Sequence, residues 1–167
     1  MTVKLMHFVS SDSMWELARD AFKEEKELIL GLVPTADVQH IGSTVIPGAI
    51  TKGDLDIQVS VSRKEFNIAV DRLRTRYAVS YPDIWSDTFA CFQDHTDPQL
   101  PIGVQLTMRG ADCDDFYKMR DKFIEDPQLL EQYNSFKRGF EGRAEPDYKQ
   151  AKREFFGDIG KTKLLNT

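Results

Sequence analysis

Residues 40–61, HIGSTVIPGAITKGDLDIQVSV, contain a Gly-Ser pair, an irregular stretch and then two aspartates one residue apart. From Asp54 onward apolar and polar residues alternate, which predicts a strand with one buried face and one solvent face. Side chains at positions i and i+2 share a strand face, so the carboxylates of Asp54 and Asp56 can converge. A divalent cation would turn their repulsion into coordination, and Mg²⁺ prefers one or two carboxylates with phosphate oxygens. The alternative is that both carboxylates are solvated on a polar face.

The composition is that of a globular protein. At 167 residues, with 41% apolar and 29% charged residues, we expect residues 1–167 to form a single domain. We find neither a membrane span nor a signal peptide and expect a soluble, cytoplasmic protein with no membrane partner. A net charge of −5 argues against a nucleic-acid partner. Cys91 and Cys113 fit neither a disulfide framework nor a CxxC metal site and are expected to be reduced.

Capping signals and periodicity predict the first half of the chain. Ser13 followed by Glu16 forms a capping box, which predicts a first helix continuing towards Gly31. Residues 36–42 and 54–61 are expected to be strands. Ser62 and Glu65 form a second capping box, which predicts a helix ending near Tyr77.

Further strands and then helices follow. Residues 77–81 are expected to form a strand, and residues 87–93 and 102–109 an antiparallel hairpin whose polar face lines the same cleft as the aspartates. Helices are predicted over residues 114–126, from Pro127 onward, and over residues 146–158. The predicted fold class is α+β, a small mixed β-sheet covered by helices with a helical C-terminal segment.

The opening stretch resembles a known signature. Ile41-Gly42-Ser43, ten intervening residues and then Asp54-Leu55-Asp56-Ile57 resemble the motif of the nucleotidyltransferase superfamily, which has the DNA polymerase β-like fold. HIGSTVIPG, Lys52 and Asp56-Ile57 together resemble the GrpB family (UPF0157) of that superfamily. The C-terminal residues also resemble that family's pattern: Arg120-Asp121, Asp126-Pro127, Tyr133, Lys137, Tyr148 and Lys152. The resemblance therefore spans nearly the whole chain.

The resemblance implies an activity and a set of site residues. Asp54 and Asp56 would hold Mg²⁺, or Mn²⁺, while a nucleoside monophosphate passes from a nucleoside triphosphate to a hydroxyl of a small molecule or protein. The implied nucleotide- and phosphate-binding residues are Gly42, Ser43, Thr44, Lys52, Arg120, Lys137, Tyr148 and Lys152. Lys137 and Lys152 could instead be exposed helix lysines.

Two departures from the family pattern leave the activity open. Many relatives have an apolar residue where Asp54 stands, so this chain looks closer to an active enzyme. The superfamily's third acid, however, is matched here by Gln105, which cannot accept a proton from an attacking hydroxyl. Asp94, His95 and Asp97 are candidate substitutes. The alternative function is a catalytically degenerate nucleotide- or coenzyme-binding, or regulatory, module.

Several other features are interpreted as structural. Residues 155–162, FFGDIGKT, end like a Walker A loop but lack its first glycine. We expect His40 to support the Gly-Ser turn by hydrogen bonding. Trp85, Phe89 and Phe92 could stack on a nucleobase, yet aromatic residues at strand spacing more often belong to a core. The sequence identifies neither the nucleotide, the acceptor nor the oligomeric state.

Overall fold

A five-stranded mixed sheet forms the centre of the protein. The computed structural model describes the backbone of residues 2–165 and the side chains of residues 2–157. The sheet contains β2 (Asp37–Ile41), β4 (Leu55–Val61), β5 (Ala78–Ser80), β6 (Phe89–Asp94) and β7 (Ile102–Met108) in the order β2-β4-β7-β6-β5. Strands β4 and β7 pair in parallel, and the other neighbours are antiparallel. The short strands β1 (Val9–Ser10) and β3 (Ile50–Thr51) form a separate antiparallel pair.

Helices pack on the sheet and follow it. Helix α1 spans Ser11–Leu32, α2 spans Phe66–Leu73, α3 spans Phe116–Glu125, α4 spans Pro127–Arg138 and α5 spans Glu145–Leu165. Two short 3-10 turns cover Ser43–Val45 and Pro82–Ile84. The predicted α+β class, the β6–β7 hairpin and the helical C-terminal segment are confirmed. Within the described residues, no helix is long and apolar enough to cross a membrane.

The main core lies between the sheet and helices α1 and α2. Along β4 the apolar set Leu55, Ile57, Val59 and Val61 is fully buried, as the alternation predicts. These residues pack with Ala18 and Ile29 of α1 and with Leu73 of α2, among others. This packing fixes the direction of the opposite face of β4, which carries Asp56.

The opposite face of β4 was wrongly predicted to be solvated. Gln58 and Ser60 are both buried, at 1% and 6% exposure. The Gln58 side-chain amide donates to Thr107 Oγ1 at 3.1 Å and to Asp114 Oδ1 at 3.0 Å. The backbone N–H of Tyr117 donates to the side-chain oxygen Oε1 of Gln58. The start of α3 therefore covers this face, and the hydrogen bonds satisfy the buried amide.

Local capping differs from the sequence prediction at two helices. Ser10, not Ser13, caps α1, because its Oγ accepts the backbone N–H of Asp12 and the helix begins at Ser11. Ser62 does donate to the Glu65 carboxylate at 2.6 Å, but in a turn before α2 begins at Phe66. The start of α4 at Pro127 is confirmed, with the Asp126 carboxylate accepting two backbone N–H groups.

A second apolar cluster joins the helical segment to the loop after β2. It includes Ile46 and Ala49 of that loop, Phe123 of α3, and Leu129 and Tyr133 of α4. Residues 155–162 lie within α5, so their backbone is helical and forms no phosphate loop. The side chains of residues 158–162 lie outside the described ones.

Candidate functional site

The Gly-Ser turn follows directly from β2. Gly42 has φ +76°, a backbone conformation that favours glycine, and Ser43 begins a 3-10 turn. His40 and Thr44 fasten this turn through a hydrogen bond of 3.0 Å between Nε2 and Oγ1. Burial, assisted by Arg120, lowers the pKa of His40 to about 4, so the imidazole is neutral near pH 7. The predicted supporting role of His40 is confirmed.

The Asp56 carboxylate lies between two glycines. Asp56 pairs with Ile41 on β2 and with Gly103 on β7. A Cβ added at Gly42 would collide with Oδ2 of Asp56, and one added at Gly103 would lie 3.0 Å from Oδ1. The absence of both Cβ atoms creates the space that the carboxylate occupies.

The two aspartates differ in their partners. Asp54 forms an ion pair of 2.7 Å with Lys52. Among the described side chains, none donates a hydrogen bond to the Asp56 carboxylate, and burial followed by the charge of Asp54 raises its pKa. The lysines at 52, 137 and 152 act on that pKa in the opposite direction. Asp56 is therefore a carboxylate that a nearby cation would stabilise.

Lys137 is a buried amine in contact with the Gly-Ser turn. Its side chain is 2% exposed, which excludes the alternative of an exposed helix lysine. Its Nζ lies 2.5 Å from Ser43 Oγ, donates to the Ile50 carbonyl at 2.6 Å, and stands 3.9 Å from the centre of the Tyr133 ring. Burial, and then the charge of Lys152, lower the pKa of Lys137 to about 6.

These groups line one cavity of about 600 Å³. The predicted site residues that it brings together are Gly42, Ser43, Lys52, Asp54, Asp56, Gln105, Arg120, Lys137, Tyr148 and Lys152. A volume of this size is within the range of small-molecule and cofactor sites.

Other candidate residues lie elsewhere in the structure. The described lining residues do not include Thr44, whose buried hydroxyl contacts His40. Asp94, His95 and Asp97 are also outside the lining, and Asp94 is paired with Arg76 at 2.7 Å. They are therefore not positioned as substitutes for the third acid.

The aromatic candidates for base stacking belong to packing contacts. Phe92 is 1% exposed and packs against Trp85 with ring centres 5.2 Å apart. The Phe89 ring faces Phe116 at 6.2 Å. Cys91 and Cys113 are free, as expected.

Sequence reasoning missed several lining residues on the C-terminal helices. Asp115, Phe116, Met119 and Phe123 line the cavity from α3 and its start, and Arg153 and Phe156 line it from α5. Their spacing contains a usable signal, because Phe116, Met119, Arg120 and Phe123 follow the helical i, i+3, i+4, i+7 pattern. Tyr148, Lys152 and Phe156 follow an i, i+4, i+8 pattern in the same way. Apolar stripes that include a cation thus mark the two helix faces that close the cavity.

Asp54 and Asp56 are the residues that would hold a divalent cation. Among the described residues, no group of three or more His, Cys, Asp or Glu side chains is arranged to hold a metal ion. Mg²⁺, however, needs only one or two carboxylates when phosphate oxygens and water supply its other ligands. Asp56, whose carboxylate fills the space between two glycines and has no hydrogen-bond donor among the described side chains, is the acid that would bind such a cation.

Comparisons with known proteins agree with this fold. The chain is 29% identical over 150 residues to a UPF0157 protein of Vibrio cholerae serotype O1, a match covering 90% of this chain and 79% of the relative. The crystal structure of the conserved protein GrpB from Enterococcus faecalis superposes with a TM-score of 0.59 at 19% identity, covering 73% of this chain and 76% of that one.

Two further comparisons concern a solved polymerase structure and a family sequence model. The MgGTP-bound Cid1 poly(U) polymerase matches with a TM-score of 0.49 at 12% identity, covering 74% of this chain and 41% of the polymerase. The sequence model of the family described as GrpB protein matches residues 6–162. The chain therefore belongs to the GrpB family.

Proposed function

We propose that the protein is a Mg²⁺-dependent nucleotidyltransferase that also accepts Mn²⁺. It would transfer a nucleoside monophosphate from a nucleoside triphosphate to a hydroxyl of a small molecule or protein. One observation carries the proposal: the Gly42-Ser43 turn, the Asp54 and Asp56 carboxylates, and the lysines at 52 and 152 line the same cavity. A phosphate-approaching turn, a pair of metal-binding acids and cations are the parts that such a transfer needs.

Asp54 and Asp56 would hold the cation at the head of β4. When bound, Mg²⁺ neutralises charge that develops on phosphate oxygens. Gly42, which has no Cβ, leaves room for the Asp56 carboxylate beside the turn, so that a phosphate bound at the turn would lie next to the metal-binding acids. Lys52, already 2.7 Å from Asp54, can hold either that carboxylate or a phosphate oxygen.

The charges of the cavity favour an anionic ligand. Its described lining contains four cations, Lys52, Arg120, Lys152 and Arg153, the amine of Lys137, and three acids, Asp54, Asp56 and Asp115. The whole chain, in contrast, has a net charge of −5. Apolar side chains from α3 and α5 line the same cavity, and they offer a surface for the base and sugar.

A second function, binding without turnover, is favoured by the position of Gln105. This side chain lies beside Gly103 and lines the cavity next to Asp56, where a third acid would stand. An amide cannot act as a general base, so activation of an external acceptor hydroxyl needs another group. A nucleotide- or coenzyme-binding or regulatory module would need no such group.

The test is a titration with ATP, GTP, CTP and UTP in the presence of Mg²⁺ or Mn²⁺, followed by melting temperature and pyrophosphate release. We expect at least one nucleotide to stabilise the wild type only with metal, and Asp54→Asn and Asp56→Asn each to weaken binding about tenfold or more. Asp97→Asn is the matched control, because Asp97 is an exposed loop acid outside the described lining.

The outcomes separate the two functions. Pyrophosphate release over several turnovers identifies a transferase. Metal-dependent stabilisation without pyrophosphate release, and without attachment of a nucleotide to the protein itself, identifies the binding module. An identical response of wild type, Asp54→Asn and Asp56→Asn to every nucleotide would refute both.

A further inference from the structure

The Ser43 hydroxyl stands beside a buried amine. Ser43 is partly exposed and lines the cavity, whereas Lys137 is buried beneath it with Nζ 2.5 Å from Ser43 Oγ. The Ile50 carbonyl and the Tyr133 ring hold the amine from other sides. A serine hydroxyl is a weak nucleophile alone and is activated by a base within hydrogen-bonding distance.

The surroundings of Lys137 favour its neutral form. Burial comes first, and Lys152 and Lys52 add like charge, while Asp56 opposes them; the resulting pKa is about 6. In the ammonium form Nζ donates to Ser43 Oγ, but the neutral amine has a lone pair that can accept the hydroxyl proton. At pH 7 to 8 the pair thus has a base and a nucleophile in contact.

We propose that Ser43 is itself an acceptor: Lys137 removes its proton and Ser43 Oγ takes the nucleotidyl group of the bound nucleoside triphosphate. This inference rests on the proposed function, which supplies the triphosphate, and it names the acceptor as a hydroxyl of this same chain. It also supplies the base that Gln105 cannot be.

The step balances without a further reactant. Ser43 Oγ forms a bond to the α-phosphorus, and the bond from that phosphorus to the bridging oxygen breaks. Pyrophosphate leaves with the bond's electron pair, and the hydroxyl proton moves to Lys137 Nζ. The products are a phosphodiester-linked nucleoside monophosphate on Ser43, an ammonium at Lys137 and pyrophosphate.

The other described hydroxyls of the lining are less suited to this step. Thr51 is 3% exposed, and its Oγ1 already accepts the backbone N–H of Gly53. Among the described side chains, no amine is hydrogen-bonded to the phenol oxygen of Tyr133 or Tyr148, and burial raises the pKa of both phenols above the ordinary range. Ser43 is the member of this set with an amine in hydrogen-bonding contact.

The first experiment follows retained label. Wild-type protein is incubated with Mg²⁺ and a nucleoside triphosphate labelled at the α-phosphate, and the modified peptide is identified by mass spectrometry. We expect an acid-stable nucleoside monophosphate adduct on Ser43, absent from Ser43→Ala and reduced about 100-fold or more in Lys137→Met and Lys137→Arg. Ser135→Ala, an exposed serine on the same helix as Lys137, is the control and keeps the adduct.

The second experiment needs neither metal nor nucleotide. A fluorophosphonate probe reacts with an activated serine, forming the Oγ–phosphorus bond and releasing fluoride. We expect labelling of Ser43 with half-maximal rate near pH 6, lost at lower pH because protonated Lys137 cannot accept a proton. Lys152→Met removes a like charge, raises the pKa of Lys137 and should move this profile to higher pH; a merely structural role for Lys137 would leave the profile unmoved.

Failure of the inference differs from failure of the proposed function. Transfer to an added acceptor with an unmodified, unlabelled Ser43 would overturn the inference and leave the transferase intact. An acid-labile adduct on Lys137 would also overturn it, since the amine would then be the nucleophile. If no nucleotide binds, both proposals fall, and melting temperatures of the variants show whether each is folded.

Discussion

At the scale of single residues, the site depends on atoms that two glycines lack. Asp56 lies between Gly42 and Gly103, and a Cβ at either position would press on its carboxylate oxygens. Gly42 also has φ +76° and ψ −173°, a region that essentially only glycine occupies and that costs another residue about 1–3 kcal/mol. The Asp56 carboxylate fits beside the cavity because neither Gly42, which follows β2, nor Gly103 of β7 has a Cβ atom.

Gly42→Ala tests that dependence. We expect a loss of about 2 kcal/mol or more in the free energy of unfolding, because strain at positive φ adds to the contact with Asp56. Metal-dependent nucleotide binding should fall with it. Gly31→Ala is the control, since its Cβ would meet nothing within 4 Å and alanine favours the helix. Urea unfolding measures both variants, and an equally stable Gly42→Ala would contradict the account of Asp56.

The buried Lys137 amine makes stability depend on pH. Its pKa is about 6 in the folded protein and near 10.5 in the unfolded chain. Between those values the unfolded state binds one more proton, so the free energy of unfolding falls as pH falls, by about 1.4 kcal/mol per pH unit from this group alone. As far as Lys137 is concerned, the free energy of unfolding is highest above the pKa of the unfolded state and falls as the pH is lowered towards 6.

Lys137→Met should remove that dependence. We expect the free energy of unfolding of the variant, relative to wild type, to rise as pH is lowered from 9 to 7. Denaturant titrations at three pH values measure the difference. Lys149→Met, a more exposed lysine on α5, serves as the control and should leave the slope of wild type unchanged. A constant difference between Lys137→Met and wild type would mean that Lys137 stays protonated.

At the scale of elements, helix α4 fastens the loop that carries the site. Asn134 accepts the backbone N–H of Ile50 and donates to the Gly48 carbonyl, and Lys137 donates to the Ile50 carbonyl. The helix begins at Pro127, where Asp126 accepts the N–H groups of Gln128 and Leu129. The position of the Gly-Ser turn therefore depends on how firmly α4 starts.

Asp126→Ala is expected to destabilise the protein by about 1 kcal/mol, because two backbone N–H groups at the start of α4 lose their acceptor. Asp126→Asn keeps a side-chain oxygen at the cap and should remain within a few tenths of a kcal/mol of wild type. Thermal unfolding compares the two. If both variants lose the same stability, the charge of Asp126 and not its hydrogen bonds is responsible.

The element pattern shows what local sequence can predict. The alternation of apolar and polar residues predicted β4 and its buried face, because the pattern continues through all seven residues of the strand. Burial of its polar face was not visible, because the partners of Gln58 lie 49 and 56 residues away. Similarly, Ser13 and Glu16 match the capping-box pattern, but the residue that caps α1 in the structure is Ser10.

The site shows the same limit. Gly42, Ser43, Asp54 and Asp56 line one cavity, which could be expected because they belong to one short motif, whereas Thr44 lies outside the described lining because its hydroxyl contacts His40. Lining residues such as Arg153 and Phe156 depend on which face of α5 packs against the second apolar cluster. That choice is made by packing between distant segments, which one sequence does not reveal.

At the scale of the whole molecule, residues 4–6 form backbone hydrogen bonds with the connection between α4 and α5. The Met6 N–H donates to the Arg143 carbonyl, its own carbonyl accepts from Gly142, and Leu5 pairs with Ala144. The chain then continues into β1, which pairs with β3 beside the cavity. The N-terminal segment thus links the start of α5 to the β1–β3 pair, and both contribute residues to the cavity lining or lie next to it, so the cavity should respond to changes in this segment.

Met6→Ala and Leu5→Ala test this link with neighbouring residues. Met6 is 2% exposed, so we expect its truncation to cost about 2–3 kcal/mol, whereas Leu5, at 48%, should cost less than about 0.5 kcal/mol. Hydrogen exchange should also be faster in Met6→Ala at Gly142 and at Glu145, the first residue of α5, since the backbone N–H of Gly142 donates to the Met6 carbonyl and that of Glu145 to the Lys4 carbonyl. Because Tyr148 and Lys152 line the cavity from α5, the same variant should weaken metal-dependent nucleotide binding. Loss of stability without any change in exchange at α5 would show that Met6 supports only its own segment.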